Sequence, residues 1–313
     1  MRKRSAFIVA AILGLLTAAI VPATVSAGQT VTHVYEGGTI QAAIDAASAG
    51  DKIIVHPGTY YENVMVDKSV SLKAVEGAVV DAGAYRGFSV VASDVSIQGF
   101  VVTGIVPSPP KPGAGIYIAR GVTGCMIKNN VIDSKLFGIR VFGDGNTIMG
   151  NECSGSSSAG IGLVGSNNEV THNVCHNNVY GIGMTGNRNL VSHNKCYDNT
   201  TAGIVQDKRI ITVENVLMHN ACYNNEHGII CTGIQTEVAY NLCYGNQHGI
   251  RVTRNHNTFE NNICRDNSEN GLLVEGSENY FDSNIAKHNL SWDLYDVGLD
   301  NVYVKNIFGT EGP

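Results

Sequence analysis

One short pattern recurs between Cys125 and Phe308 and limits what this chain can fold into. Asn168-Glu-Val-Thr-His-Asn173-Val-Cys175 returns as Asn189-Leu-Val-Ser-His-Asn194-Lys-Cys196. The frame continues through Asn220-Ala-Cys222, Asn241-Leu-Cys243 and Asn262-Ile-Cys264, with outlying copies at Asn151, Asn284 and Asn306. The steps are 21 or 22 residues, apart from one of 26. A Gly-aliphatic pair keeps the same phase: Gly138-Ile139, Gly160-Ile161, Gly181-Ile182, Gly203-Ile204, Gly228-Ile229, Gly249-Ile250 and Gly271-Leu272. Self-similarity at a fixed period is the mark of stacked repeats.

About 22 residues fit one coil of three short strands, and coils stack at about 4.8 Å. Each coil reads as strand one at Gly-Ile-x-Val, strand two at Asn-x-Val, a bend at the second Asn, and strand three around the Cys. Asn tolerates the left-handed backbone of a sharp bend, and its amide can donate to one neighbouring Asn and accept from the other. A further Asn ladder runs through 178, 199, 225, 246, 267 and 289. Charged residues are only 15% of the chain, which suits short strands and turns better than long helices.

Met1–Ala27 reads as a secretory signal peptide: Arg2-Lys3-Arg4, an apolar run over Ala6–Val21, and Val25-Ser26-Ala27 for cleavage. Removing it leaves 18 basic against 27 acidic residues, a net charge of −9. Without a basic patch, no nucleic-acid partner is expected, and no later segment could span a membrane. The expectation is an exported monomer, secreted or periplasmic in the cell envelope, with one domain over residues 28–313. A helix over 39–49, N-capped by Thr39 and ended by Gly50, is expected to cap the first coil. The run 105–112 holds four of the seven prolines and cannot be ladder strand. Trp292 and Tyr295 interrupt the last repeats and are expected to help close the far end.

The stretch Thr39-Ile-Gln…Ala-Gly-Asp51…Val-His-Pro-Gly-Thr-Tyr60-Tyr-Glu-Asn63 resembles the N-terminal cap and first coil of right-handed parallel β-helix proteins of the pectate-lyase-like superfamily. The Asn and Gly-Ile repeats resemble those of periplasmic NosD-type accessory proteins. The implied fold is all-β: a single-stranded right-handed parallel β-helix, a solenoid of about 10–11 coils. The superfamily hosts lyases, hydrolases, esterases, epimerases and non-enzymatic members, so the fold alone does not give the activity.

In that superfamily the groove usually lies outside strand one. Alternation from the Gly-Ile pairs puts Phe137, Tyr180, His227 and His248 outward before the Gly, and Arg140 and Arg251 outward after the Ile. The next outward residues include Phe142, Asp207 and Glu275. The enlarged coil places its extra length at Gln206-Asp207-Lys208-Arg209-Ile210, and long turns on a rigid scaffold tend to carry function. Asp207 and Glu275 stand three coils apart, about 14 Å by strand spacing, too far for the paired carboxyls of glycoside hydrolysis. A uronate lyase or C5-epimerase needs cations for the substrate carboxylate and a base for the C5 proton. His227, His248, Arg251, Asp207 and Lys208 are the catalytic candidates; Arg140, Phe142, Tyr180, Arg209, Arg254 and Glu275 are the substrate contacts. The Asp-Pro-His-Asp motif of mannuronan C5-epimerases and the acidic calcium cluster of classical pectate lyases are absent.

The partner implied is an acidic polysaccharide or another glycan. The alternative is a non-catalytic NosD-like β-helix that binds a glycan, an envelope partner or copper; the plain Gly-Ile rungs at 160–185, where a deep groove is expected, favour it. No ligand cluster supports calcium or copper. The six ladder cysteines read as stacked core thiols, because in-register parallel side chains fit a disulfide poorly. His172, His193 and His219 read as a surface stack, since equivalent atoms about 4.8 Å apart cannot converge on a metal at about 2.0–2.1 Å.

Overall fold

The computed structural model describes residues 28–83, 85–105, 113–134, 136–207 and 209–312. The signal segment, the prolines at 107, 109, 110 and 112, and Lys208 lie outside the described residues. Three all-parallel sheets wind along one axis, with 13, 12 and 12 strands. That makes about 12 turns, slightly more than the repeat count implies, because the first coils lack the Asn signature.

In the coil from 169 to 184, Glu169–Thr171, Val174–His176 and Tyr180–Met184 give one strand to each sheet. The Gly-Ile strands form one 12-stranded sheet, the Cys strands the other, and the Val170 strands the third. Ile139, Ile161, Ile182, Ile204, Ile229 and Ile250 pair in register and are fully buried. Each such side chain contributes about 1.5–3 kcal/mol by leaving water.

The corners differ from the sequence expectation in one respect. The left-handed residue precedes the ladder Asn: His172, His193, His219 and Tyr240 have φ of 57°, 56°, 55° and 56°. This shift frees the Asn to turn inward. Asn173 Nδ2 donates to Asn194 Oδ1 (3.0 Å) and Ile148 O (2.9 Å), and Asn173 N donates to the same Oδ1 (2.9 Å). The other two corners repeat the device, with Arg188 before Asn189 and Asp198 before Asn199. Coils in the middle of the stack are therefore tied at three corners by buried amides, which satisfies backbone groups that the bends take out of the sheets. The exposed rings just before the middle ladder stack, His172 on His193 at 4.9 Å and His193 on His219 at 4.8 Å.

The Gly of most Gly-Ile pairs answers to the ladder Cys 15 residues further along the chain. A Cβ on Gly181 would lie 3.0 Å from Cys196 Cβ and 2.5 Å from Gly203 O; one on Gly228 would lie 2.9 Å from Cys243 Sγ and 2.4 Å from Gly249 O. The ladder cysteines pair in register and are free thiols, as are Cys125 and Cys231, and all are buried. Burial raises the Cys264 thiol and pushes Cys231 up to about 12.

The helix is shorter than expected, Ile40–Ala46, with Thr39 Oγ1 accepting from Ala42 N at 3.2 Å. It lies against Val64–Val66, the first strand of the Gly-Ile sheet, and Gln41 bonds both Met65 N (2.7 Å) and Met65 O (3.2 Å). At the other end Leu294–Asp296 joins the same sheet, and Glu311–Gly312 pairs beyond it.

Candidate functional site

A cleft of about 1100 Å³ runs along the outer face of the Gly-Ile sheet, from Phe137 and Arg140 to Arg251 and Glu275. Its floor is low because Gly162 and Gly183 occupy the first outward position after Ile in two successive coils. Those plain rungs, which in the sequence argue against a deep groove, instead make one. Val205 and Ile230 continue the floor. Thr185, Asp207, Arg209, Ile210 and Thr232 line the cleft on the enlarged-turn side, and Glu226 lies just before the His227 strand.

The turn is anchored by Gln206, which belongs to the strand Ala202–Gln206 and not to the turn. Fully buried, Gln206 accepts from Thr232 N (3.1 Å) and Gly233 N (2.9 Å) and donates to Thr236 Oγ1 (3.0 Å). Beyond it Asp207 is committed to Arg209, whose Nε and Nη2 lie 2.9 Å and 2.5 Å from its carboxylate. Asp207 is thus engaged by a cation of its own turn and is no poised catalytic base. Arg251 is likewise held by Glu275 in a two-pronged pair of 2.9 and 3.1 Å. Both residues line the cleft and are about a third exposed.

His227 lines the cleft with its ring nearly buried, stacked on His248 at 5.0 Å and 16°. Its Nδ1 has no hydrogen-bond partner and Nε2 lies 3.6 Å from Glu226 Oε1. Burial, with His248 and Arg251 nearby, lowers its pKa to about 4, so the ring is neutral at neutral pH. His248 does not line the cleft. Its Nδ1 faces Asn270 N at 3.4 Å, its Nε2 sits 3.3 Å from Glu269, and burial also lowers its pKa. Arg254, past the end of the strand His248–Val252, does not line the cleft either. The structure therefore brings His227, Arg251, Glu275, Asp207 and Arg209 to one half of the cleft and leaves His248 and Arg254 out of it.

At the other end stand Arg140, Phe142 and Tyr180, joined by Phe137. The Arg140 guanidinium lies over the Phe137 and Phe142 rings, at 4.1 and 4.9 Å from their centroids. Among the described residues it forms no ion pair, and its Nε has no hydrogen-bond partner. Glu226 was missed in the sequence because it precedes the repeated Gly-aliphatic frame. Its place one residue before the outward His227 was the available signal. Among the described residues no three His, Cys, Asp or Glu side chains gather to hold a metal ion. No helix of the described residues is long and apolar enough to cross a membrane.

Residues 114–233 match the family model of the right-handed β-helix region. A 99-residue stretch is 39% identical to a cell surface glycoprotein of Methanothermus fervidus, covering 30% of this chain and 15% of that protein. The match thus spans only a small part of that relative's length. Among solved structures, XylC in complex with xylose aligns with a TM-score of 0.65 and 12% identity over 82% of this chain and 75% of that one. The A-module of Azotobacter vinelandii mannuronan C-5 epimerase AlgE4 aligns with a TM-score of 0.57 and 16% identity, over 88% of this chain and 93% of that one. At such identities the likeness is one of fold, and the right-handed parallel β-helix read from the repeats is the fold observed.

Proposed function

We propose that this chain works outside the cytoplasm and binds an acidic polysaccharide, laid lengthwise along the cleft, with C5-proton chemistry on a uronate as its reaction. The observation that carries the reading is Arg140: a half-buried cation set among Phe137 and Phe142 beside a glycine-floored trough. Aromatic rings offer apolar faces to sugar C–H groups, and a guanidinium recognises a carboxylate with paired N–H donors. The basic and apolar start of the chain and the cell-surface relative support export.

In the other half of the cleft, His227 is the candidate base. Neutral at neutral pH, it can accept the C5 proton on Nε2, the ring nitrogen beside Glu226, since Nδ1 is buried. The electron pair left at C5 is delocalised into the adjacent carboxylate, whose charge Arg251 helps neutralise. Elimination then breaks the C4–O bond, the His227 imidazolium passing the proton it took to the leaving oxygen; epimerisation instead adds a proton from water to the opposite face of C5. Hydrolysis fits less well, because Asp207 and Glu275 are each bound to an arginine and no carboxyl pair flanks a common point.

The test is to incubate the protein with a panel of polyuronates, in ordinary and heavy water. Unsaturated products identify a lyase, and deuterium at C5 identifies an epimerase. Binding without either product assigns the non-catalytic glycan-binding alternative, and absence of binding refutes the reading. Metal analysis addresses copper: a stoichiometric ion lost on substituting ladder cysteines would replace the packing account of those thiols.

A further inference from the structure

Arg140 is not the last cation on this face. Arg86 lies at the start of the strand Arg86–Val90, two coils nearer the N-terminus than the Arg140 strand Phe137–Val141, with Ala114–Ile118 between them. Tyr117 pairs in register with Arg140. The Arg86 guanidinium sits 3.5 Å from the centroid of Tyr117, and the Tyr117 ring meets Phe142 at 5.5 Å. One continuous platform therefore alternates cation and ring beyond the end of the cleft.

Among the described residues this platform has no counter-charge. Neither Arg86 nor Arg140 forms an ion pair among the described residues, and the Nε of each is buried without a hydrogen-bond partner. Burial lowers the pKa of Arg140, Tyr117 opposes that, and Arg86 is close enough to add a smaller lowering. Two half-buried cations that repel each other raise the energy of the empty protein, and an anion bridging them would relieve that. Every other cation lining the described cleft already holds a carboxylate: Arg209 holds Asp207, and Arg251 holds Glu275.

We infer that Arg86 and Arg140, with Tyr117 between them, form a separate anion-binding subsite that holds an acidic group of a glycan several sugars away from His227. The inference rests on the acidic-polysaccharide reading and adds to it a length requirement. Arg86 and Arg251 are seven strands apart in the sheet, about 34 Å at the parallel-strand spacing. A ligand touching both ends is therefore an extended oligosaccharide. The group held is a carboxylate or a sulfate, since either presents oxygens that accept from guanidinium donors.

The experiment measures dissociation constants of the full chain for uronate oligosaccharides of increasing length, their carboxyl-reduced counterparts, and sulfated oligosaccharides. Arg86→Gln and Arg140→Gln are compared with the native protein. Arg86→Gln is expected to weaken long acidic ligands by about tenfold to a hundredfold while leaving the shortest ones unchanged; Arg140→Gln, at a residue that also lines the cleft, is expected to weaken the long ones at least as much. Thermal melting is the control for folding: removing one of two mutually repelling cations should hold or raise the melting temperature. Loss of affinity with an unchanged or higher melting temperature supports the subsite, and preference between the carboxylated and sulfated series names the group. Affinity that is independent of length, or unchanged in both variants while polyuronates still bind, overturns the subsite and leaves the proposed function standing. Equal binding of the carboxyl-reduced series overturns both.

Discussion

Replacing Asn220 by Ala probes a corner ladder where it is buried in the middle of the stack. The Asn220 amide makes four bonds: Nδ2 to Val191 O (2.9 Å) and to Asn241 Oδ1 (3.0 Å), and Oδ1 from Asn194 N and Asn194 Nδ2 (3.0 Å each). At about 1 kcal/mol net for each bond, the loss is about 4 kcal/mol. The Asn194 N–H, which donates to that Oδ1, is left facing an apolar methyl. Asn306 provides the contrast. It makes three equivalent bonds at the open end, to Phe281 O and from Asn284 N and Nδ2, and is only part-buried. Water can replace those partners, so Asn306→Ala should cost about 1–2 kcal/mol. Urea denaturation followed by circular dichroism gives both values, and amide exchange at Asn194 reports the orphaned donor. Equal losses at 220 and 306, or a loss at 220 below about 1 kcal/mol, would refute the account of the ladder as buried, interdependent amides.

Four further outcomes are expected. Gly228→Ala should destabilise by about 3 kcal/mol, since its Cβ would lie 2.4 Å from Gly249 O and 2.9 Å from Cys243 Sγ; Gly183→Ala, with 3.7 Å to Ala159 Cβ, should change stability by less than about 0.5 kcal/mol yet weaken glycan binding by raising the floor. Glu275→Gln should alter stability by less than about 1 kcal/mol, the pair being partly exposed, and should tighten polyuronate binding by releasing Arg251. His227 has a folded-state pKa of about 4 against 6.5 in the unfolded chain, so the unfolded state takes up the proton first as pH falls. Stability should be full above pH 6.5 and decline toward pH 4 by up to about 3 kcal/mol, a slope that His227→Asn flattens in denaturation series across that range. The ladder thiols, all buried, should resist thiol reagents in the native protein and react on unfolding; rapid native labelling of Cys196 or Cys222 would contradict their placement.

The solenoid was legible because its signals are local and repeated. Asn173, Asn194 and Asn220 keep one phase, and Ile182, Ile204 and Ile229 another, so three strands per turn follow from counting. The left-handed corner residue was harder to see. Arg188, Glu214 and Tyr240 are not types that favour positive φ; each adopts it because the following residue is fixed inward by its hydrogen bonds. The reciprocity of Gly228 and Cys243 joins two sheets across 15 residues and has no local trace. At the site, outward positions such as Arg140 and Phe142 followed from alternation, whereas the ion pairs did not. Arg251 meets Glu275, two positions past its in-register neighbour Leu273, a diagonal contact that depends on side-chain reach. The depth of the cleft was misread for a related reason: Gly162 and Gly183 look empty in a sequence, and emptiness on an outward row is what a trough consists of.

The ladder bonds have a further consequence for how such a chain changes over generations. Each rung offers the same donors to the rung above and the same acceptors to the rung below, so cutting the gene at equivalent asparagines and duplicating or removing one coil restores every corner bond. Length is then a quantity that recombination can adjust in units of one turn, with the core indifferent to the number. Outward positions carry no such constraint, and Arg86, Tyr117, Arg140 and His227 can diverge independently on copies that stack alike. A protein built this way acquires a longer binding trough by repetition and a new specificity by point substitution, as two separate processes.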